Sequence, residues 1–412
     1  MHFAFVLDRY IPEVDANVNC VNNIIKVLQK QGHKVSVVCG TSAQSQTVLL
    51  DDVRVYRVRN ISFIERYDSL KTKPAKLLAK FLHFVHSVLV LPFFPNTELA
   101  FAKRLYCKLE DLNRDFKVDC AISVFRPFAS VKAVTKFKKQ HPNITAVAYY
   151  LDVLKGGVKP FGIPTGIYES MCDKREAAVF KKYDLVLMAQ NGRRFYEASS
   201  LFADVNMKYV NFPTLVIKDT QEHKAVDNSK QTFVYAGYLD KYYRNPIPMF
   251  EVFKLLKSDN PDIQLHIYGT SNMNDEILQY EKENSDLIFY HGKVAKQVAD
   301  DANASANCII SFGNATAGVV PSKIFEVIAT KKKVLHFSPS KDDSSLEYLE
   351  KYPNCCIIDV NNSLNDNCDR IREFISCPAK EISNDYMKRE FASALPETVS
   401  DFILREVGPE LE

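Results

Sequence analysis

Residues 313–334 (GNATAGVVPSKIFEVIATKKKV) contain the side chains whose types and spacing point most directly to chemistry. A strand-like apolar run ends just before them, Pro321 restricts the backbone, and a helix pattern begins near Ser322. A helix N-terminus offers unpaired N–H groups and partial positive charge, which together favour a bound phosphate. Lys323 in the same turn opposes the helix dipole, which is favourable only when an anion lies beside both. The pattern therefore predicts a phosphate site at Ser322 and Lys323.

Glu326 follows Lys323 by three residues, so the two side chains share one face of the predicted helix. A carboxylate at this position can accept hydrogen bonds from the two vicinal hydroxyls of a ribose. The plain alternative is that Ser322 caps a helix while the two charged residues are merely solvated. A capping box would need its acid at position 325, which is Phe325, so capping does not explain Glu326.

A second segment, residues 233–246 (FVYAGYLDKYYRNP), has the pattern of a strand, a glycine, a short cationic loop and a helix start. Gly237 would let a ligand approach the backbone, and Arg244 could bind a diphosphate through two parallel hydrogen bonds. Arg244 and Lys323 would then stabilise the negative charge that develops on a departing nucleotide. An ordinary surface loop fits this segment equally well when it is taken alone. Its position at a strand end in the same half of the chain as Lys323 favours the binding interpretation.

Charged residues also follow strand patterns in the first half of the chain. The loop between the first strand and the first helix contains Glu13 and Asp15, which could contact an acceptor, although a plain connecting loop fits as well. Asp152 follows another strand and is our leading candidate for a general base or an acceptor-orienting group. An aspartate that caps a turn or pairs with Lys155 explains the same residue at least as simply. Arg126, just after a third strand, is a further acceptor-side candidate.

Short apolar runs alternate with helical spacing along the whole chain, which predicts two doubly wound, Rossmann-like α/β domains facing a central cleft. The predicted domains are residues 1–213 and 232–384, joined by a polar linker at 214–231, with a helical segment at 385–412 that crosses back to the first domain. The predicted strands are 2–7, 34–39, 120–125, 146–151, 185–189, 205–210, 233–236, 263–268, 287–290, 308–312, 334–337 and 355–359.

Composition narrows the classes of function. The 412 residues have a formal net charge of +3, whereas a nucleic-acid binder would show a stronger and more clustered basic excess. The 10 cysteines are irregularly spaced with no CxxC pair, which argues against a zinc site and for a reducing compartment. Met1 leads directly into a strand pattern without a basic leader or cleavage site. We therefore expect a cytoplasmic protein with no metal site and no nucleic-acid partner.

These segments resemble the GT-B glycosyltransferases of the family 4-like and family 1-like groups, of the type that builds bacterial polysaccharides. Residues 3–40 look like that family's N-terminal strand, acceptor loop and helix, which end in a Gly-His-x-Val pattern. Residues 321–336 (PSKIFEVIATKKKVLH) look like its Pro-Ser-Lys-x-x-Glu nucleotide segment. The resemblance implies a ribose contact at Glu326. It implies diphosphate contacts at Gly237, Arg244, Ser322 and Lys323.

Two positions depart from the family pattern. Asp15 and Ala16 stand where many members have a Gly-Gly pair, and Gly318 stands where the familiar form has the earlier of two glutamates separated by seven residues. In those relatives the missing carboxylate lies near the donor sugar. With Gly318 in its place, the sequence favours neither retention nor inversion at the anomeric carbon.

The resemblance implies a metal-independent hexosyltransferase with a nucleotide-diphosphate sugar donor held by residues 232–384 and an acceptor held by residues 1–213. The acceptor would be a glycan or a lipid-linked glycan, as in capsular or exopolysaccharide synthesis. No cofactor is expected, because the nucleotide sugar is itself a substrate. Two alternatives stay open: a sugar-nucleotide epimerase of the same fold, and a non-catalytic accessory or scaffold protein with a decayed donor site, for which Gly318 is the main support.

Residues 77–95 (LLAKFLHFVHSVLVLPFFP) are unusually apolar and follow a run of basic residues. The stretch is short for a membrane-spanning helix, which needs roughly 20 residues. A basic flank beside an apolar helix is typical of an interfacial helix on anionic lipid, and a core helix followed by a loop fits equally well. Attachment to the inner face of the membrane is therefore a second expectation beside a cytoplasmic location.

Overall fold

The computed structural model of the chain describes residues 1–408 except 14, 62, 64–66, 68, 157, 158, 160–162, 218–229, 315–320 and 322. The chain divides into two units. Unit 1 comprises residues 1–213 and 393–412, and unit 2 comprises residues 214–392.

Unit 1 contains an eight-stranded sheet with the order β3-β4-β2-β1-β5-β6-β7-β8. All neighbouring strands are parallel except the antiparallel pair β3 and β4. The strands are β1 (His2–Leu7), β2 (Lys34–Thr41), β3 (Gln46–Leu50), β4 (Val53–Arg59), β5 (Cys120–Phe125), β6 (Thr145–Tyr150), β7 (Leu185–Ala189) and β8 (Met207–Val210). The helices before the second unit are α1 (Ala16–Lys30), α2 (Lys73–Val90), α3 (Leu99–Asp115), α4 (Phe128–Gln140), α5 (Thr165–Phe180) and α6 (Arg193–Tyr196).

The sheet of unit 1 is covered on both faces, as its continuous apolar strands require. Alternate residues of β1 enter opposite cores: Phe3, Phe5 and Leu7 pack on the α1 side, and Ala4 and Val6 pack on the α3 and α4 side. The period of two along a strand explains this division. The sheet therefore lies between two apolar cores, and its strand ends point into loops.

Unit 2 contains a six-stranded parallel sheet with the order β11-β10-β9-β12-β13-β14. Its strands are β9 (Gln231–Ala236), β10 (Ile263–Tyr268), β11 (Ile288–Gly292), β12 (Cys308–Phe312), β13 (Lys333–Ser338) and β14 (Cys355–Asp359). Its helices are α7 (Ile247–Asp259), α8 (Asn274–Glu283), α9 (Lys296–Ser305), α10 (Lys323–Ala329), α11 (Leu346–Leu349), α12 (Leu364–Ser376) and α13 (Asn384–Glu390). The doubly wound α/β fold predicted from the sequence is confirmed.

The last helix, α14 (Pro396–Val407), packs in unit 1, where Val399 and Ile403 join the core that contains α1. Asn211 fixes the approach to this helix, because its backbone N–H donates to the Ser393 carbonyl at 2.9 Å and its amide to the Ser393 hydroxyl at 2.7 Å. One helical segment at 385–412 was expected from the sequence. The structure instead has α13 in unit 2 and α14 in unit 1, with the division between residues 392 and 393.

The hairpin of β3 and β4 was absent from the sequence analysis. Its turn is formed by Asp51 and Asp52 with φ of 45° and 62°, a left-handed conformation that usually marks itself in a sequence by Asn or Gly. Strand β3 lies at the sheet edge, and its side chains are exposed or half-exposed. A half-polar edge strand with an atypical turn gives little hydrophobic signal, which explains the omission.

Candidate functional site

The strand order of unit 2 reverses between β9 and β12, which are parallel neighbours. In open α/β sheets, ligands bind outside the carboxyl ends of the strands at such a switch point. The chain leaves β9 at Gly237 and leaves β12 at Gly313. These two loops contain or adjoin most of the donor-side residues predicted from the sequence.

Lys323, which follows β12 in the chain, contacts the end of β9. It begins helix α10, and its Nζ donates a hydrogen bond of 2.9 Å to the carbonyl oxygen of Ala236, the last residue of β9. The residue as a whole is exposed, yet partial burial of its ammonium lowers the pKa of Lys323. Glu326 raises that pKa, while the positive charges of Lys296 and Arg244 lower it further. Asp300, which pairs with Lys296 at 2.9 Å, raises the pKa as well, so the ammonium lies among two cations and two carboxylates.

Arg244 reaches the same place from the β9 loop. Its Nη2 donates to Oδ1 of Asn314, two residues past the end of β12, at 3.4 Å. Asp240 shapes this loop, because its Oδ1 accepts the backbone N–H groups of Tyr242 and Tyr243 at 2.8 and 2.7 Å. The Asp240 N–H in turn donates to the Arg244 carbonyl at 3.2 Å. A tight aspartate turn thus positions the guanidinium over the switch point.

Glycines let these loops approach one another. Gly269 follows β10 with φ of 137°, and a Cβ there would lie 1.8 Å from the Gly237 carbonyl oxygen. A Cβ on Gly313 would lie 1.7 Å from Oδ2 of Asp343. Only glycine fits at either position without movement of the backbone or a buried carboxylate. Gly237 was predicted from the sequence as a binding residue, whereas the roles of Gly269 and Gly313 become visible only in the structure.

A buried hydrogen bond between His336 and Asp343 supports the Gly313 loop. Oδ2 of Asp343 lies 2.8 Å from Nε2 of His336, and neither side chain has exposed surface. Asp343 also accepts the Ser345 N–H at 2.9 Å and the Ser338 hydroxyl at 3.3 Å. Burial acts to raise the pKa of Asp343, but the hydrogen bond and charge of His336 lower it below its usual value. This pair could not be predicted from the sequence, because His336 and Asp343 lie seven residues apart around a loop.

Ser322, predicted as a donor-site residue, and Gly318, which stands where the family pattern has a glutamate, lie outside the described residues. Helix α10 has 7 residues, so its dipole is small and the side chains are the stronger argument for an anion site. The structure brings Gly237, Arg244 and Lys323 together at the β9 and β12 ends, with Glu326 one turn along from Lys323.

Unit 1 has a cleft of about 260 Å³ at its own switch point, where β1 and β5 are neighbours. It is lined by residues that follow β1, β5 and β6 and by the start of α1. The lining residues are Leu7, Asp8, Arg9, Asp15, Asn17, Val18, Arg126, Pro127 and Asp152. Three of the predicted acceptor-side residues, Asp15, Arg126 and Asp152, therefore share one cleft.

The other predicted residue, Glu13, is absent from this lining and pairs with Arg9 at 3.0 Å. Asp15 has a structural role as the N-cap of α1, where its Oδ1 accepts the Val18 N–H at 2.8 Å. Lys155, considered as a partner for Asp152, pairs instead with Asp173 at 2.6 Å. Asp152 is exposed at the cleft.

Asp8 is an additional carboxylate in this cleft that the sequence analysis did not single out. Burial raises its pKa, Arg9 offsets part of this effect by its charge and a hydrogen bond of 3.3 Å, and Asp15 and Glu13 raise it again. Its position directly after β1 was the available signal. A carboxyl group with a raised pKa beside an exposed aspartate suits proton transfer at a bound hydroxyl.

Within the part of the chain that the structure describes, no group of three or more His, Cys, Asp or Glu side chains is placed to hold a metal ion. No protein-family model matches the sequence, and no curated protein matches it.

Solved structures do match the whole chain. An alpha,alpha-trehalose 6-phosphate synthase from Burkholderia multivorans has a TM-score of 0.60 at 11% identity, over 99% of this chain and 98% of that chain. The catalytic domain of starch synthase IV from Arabidopsis thaliana, bound to ADP and acarbose, has a TM-score of 0.58 at 8% identity, over 99% of both chains. The lipopolysaccharide outer core galactosyltransferase WaaB has a TM-score of 0.53 at 12% identity, again over 99% of both chains.

These likenesses extend over both units and agree with the two doubly wound sheets. The chain has the GT-B fold, the two-domain Rossmann-like architecture of glycosyltransferases.

Proposed function

We propose that the protein is a glycosyltransferase that moves a hexose from a nucleotide-diphosphate sugar, bound by unit 2, to a glycan or lipid-linked acceptor, bound by unit 1. The observation that supports this most strongly is the convergence of Arg244 and Lys323 on the ends of β9 and β12. The proteins of the same fold include a trehalose 6-phosphate synthase, a starch synthase and a lipopolysaccharide galactosyltransferase. The starch synthase is bound to ADP.

The leaving group of such a reaction is a nucleoside diphosphate, on which negative charge grows as the glycosidic bond breaks. Arg244 can bind two phosphate oxygens through its planar guanidinium, and Lys323 adds a point charge. The Lys323 ammonium donates to the carbonyl oxygen of Ala236, and a phosphate oxygen can replace that carbonyl as acceptor. These fixed cations would stabilise the transition state without a metal ion.

Glu326 would select the sugar of the nucleotide. It lies one turn along α10 from Lys323 and is half-exposed, so its carboxylate can accept hydrogen bonds from the 2′ and 3′ hydroxyls of a ribose. On the acceptor side, Asp152 would orient the attacking hydroxyl or accept its proton, with Asp8 beside it. Arg126 in the same cleft would hold an anionic or polar group of the acceptor.

The proposal is tested first by ligand-dependent melting. A panel of nucleotide sugars is added to the full chain, and a ligand selective for the native state raises the melting temperature. We expect at least one nucleotide sugar to raise it. The variant Glu326→Gln should lose the preference for a ribonucleotide over its 2′-deoxy analogue, while Glu251→Gln on α7 should keep it. A panel that gives no shift at all would favour the scaffold alternative.

The reaction itself is then separated from epimerisation by omitting the acceptor. The donor that stabilises the protein is incubated with and without a mixture of glycan acceptors, and nucleoside diphosphate release is measured. A transferase releases diphosphate faster when the acceptor is present. An epimerase would instead convert the donor sugar in both cases and release no diphosphate.

A further inference from the structure

Helix α2 displays a wide apolar face to solvent. Of its 18 residues, only Val90 is buried. Eight large apolar side chains on this helix are between 36% and 71% exposed: Leu77, Leu78, Phe81, Leu82, Phe84, Val85, Val88 and Leu89. At 3.6 residues per turn they fall on one side of the helix, and Lys73, Lys76 and Lys80 fall on the other. An exposed apolar surface of this kind marks a site of interaction.

The stretch Lys73–Phe93 is the one described segment that is long and apolar enough to cross a membrane. A single crossing would put β4, before it, and α3, after it, on opposite sides of the bilayer. Both elements belong to the same unit and contribute to its core, for example through Val58 and Leu105. A return crossing would use residues 60–72, which include Glu65, Arg66, Asp68 and Lys71 and are too polar to span. The helix must therefore lie along a surface.

A basic cleft of about 300 Å³ adjoins the end of this helix. Its lining includes four cations and, among the described residues, no carboxylate. The lining residues are Pro95, Phe128, Lys132, Lys174, Arg175, Ala178, Val179 and Lys182. Burial lowers the pKa of Lys132, and the positive charges of Lys182 and Arg175 lower it further. No ion pair with a carboxylate involves these four residues in the described part of the chain, so their mutual repulsion favours a bound anion.

The cleft and the helix are physically joined. Nη1 of Arg175 donates to the carbonyl oxygen of Pro92 at 3.1 Å, in the turn that ends α2. Phe94 then turns into the core, where its ring lies 5.8 Å from that of Tyr168 on α5, and Pro95 lines the cleft. An anion in the cleft and an apolar phase against α2 would therefore be adjacent, which is the order of headgroup and acyl chain at a bilayer surface.

We propose that unit 1 docks on an anionic phospholipid bilayer, with α2 embedded at the headgroup boundary and a lipid phosphate bound by Lys132, Lys174, Arg175 and Lys182. Charge complementarity selects an anionic bilayer over a second copy of the chain, because the lining of the basic cleft includes four cations and, among the described residues, no carboxylate. The inference does not depend on the proposed transferase activity, since it concerns residues outside both switch-point sites.

The test measures how the full chain co-floats with vesicles of phosphatidylcholine alone or with phosphatidylglycerol added. The wild type should partition strongly to anionic vesicles and weakly to neutral ones. The variant Lys174→Glu/Lys182→Glu, which alters exposed side chains, should lower partition to anionic vesicles by at least about 30-fold. The matched control is Lys26→Glu/Lys30→Glu on α1, on the opposite side of the sheet, and it should partition much closer to the wild type.

A second variant, Phe81→Ser/Leu89→Ser, should lose binding to both kinds of vesicle without a change in circular dichroism, because both side chains are exposed. Three results would overturn the proposal. One is equal partition of the wild type to neutral and anionic vesicles. Another is stabilisation by inorganic phosphate with no vesicle binding. The last is a dimer of the wild type in light scattering that becomes a monomer in Phe81→Ser/Leu89→Ser, combined with no vesicle binding by the wild type. That result would show that the apolar face of α2 binds a second copy of the chain.

Discussion

Replacement of Gly313 by alanine should destabilise unit 2 strongly. The new Cβ would lie 1.7 Å from Oδ2 of Asp343, 2.5 Å from its Cγ and 3.0 Å from its Oδ1. The carboxylate cannot easily move away, because His336, Ser338 and Ser345 hold its two oxygens. Either the backbone after β12 shifts or the buried hydrogen bond between His336 and Asp343 breaks. The Asp343 carboxylate would then be buried without its main partner, which costs at least about 1–3 kcal/mol.

Native-state hydrogen exchange at the amides of β12 and β13 is the suitable assay, because it reports the opening free energy of this unit alone. The matched control is Gly166→Ala at the start of α5, where an added Cβ meets nothing within 4 Å. That change should leave stability in unit 1 unchanged or raise it by up to about 1 kcal/mol. The double variant Gly313→Ala/Asp343→Ala should be no less stable than Asp343→Ala alone, since the clash is gone. Two results would refute this account. One is an opening free energy in Gly313→Ala that equals that of the wild type. The other is a Gly313→Ala change that lowers the opening free energy as much in the Asp343→Ala background as in the wild type.

Three further outcomes follow from the site and its surroundings. Burial raises the pKa of Glu176 from 4.5 to about 8 despite the hydrogen bonds from the Tyr196 hydroxyl, so the native state holds a proton that the unfolded chain releases. Stability of unit 1 should fall as pH rises from about 4.5 to about 8, and Glu176→Gln should flatten that slope in melts followed by circular dichroism. Arg244→Lys keeps the charge but loses the planar fork, so titration should show about tenfold weaker binding of a nucleoside diphosphate; unchanged affinity would remove Arg244 from the site. Asp152→Asn should slow transfer by at least about 100-fold at unchanged donor affinity, and a normal rate would leave Asp152 without a catalytic role.

The sequence predicted the parts of the fold that depend on local hydrophobic pattern. Strands β1, β5 and β12 are almost entirely buried, so their residues form predominantly apolar runs with sharp ends. The β3 and β4 hairpin was not predicted, because an edge strand needs no continuous apolar run. Its turn also has Asp51 and Asp52 where glycine would be expected. The interruption between α13 and α14 was also not predicted, since helical spacing continues across a change of unit.

In the candidate site, too, residues within one short segment could be predicted, whereas contacts between distant segments could not. Lys323 and Glu326 share one helix, and Arg244 follows one strand, so short segments sufficed to propose them. The contact of Lys323 with Ala236 spans 87 residues and could not be read from spacing. The fit of Gly313 against Asp343 and the basic cleft of α4 and α5 depend on packing between elements. Asp15, proposed as an acceptor contact, proved to be the N-cap of α1, a role that its place before a helix had signalled.

We propose that Lys323 and Arg244 together bind a diphosphate at the β9 and β12 ends. Calorimetric titration of the full chain with nucleoside diphosphates and the matching monophosphates tests it most directly. The wild type should bind at least one diphosphate more tightly than its monophosphate. Lys323→Ala should weaken diphosphate binding at least about tenfold, or 1.4 kcal/mol, and abolish that preference, whereas Lys254→Ala on α7 should change neither. Diphosphate affinity that is the same in Lys323→Ala as in the wild type would contradict the account.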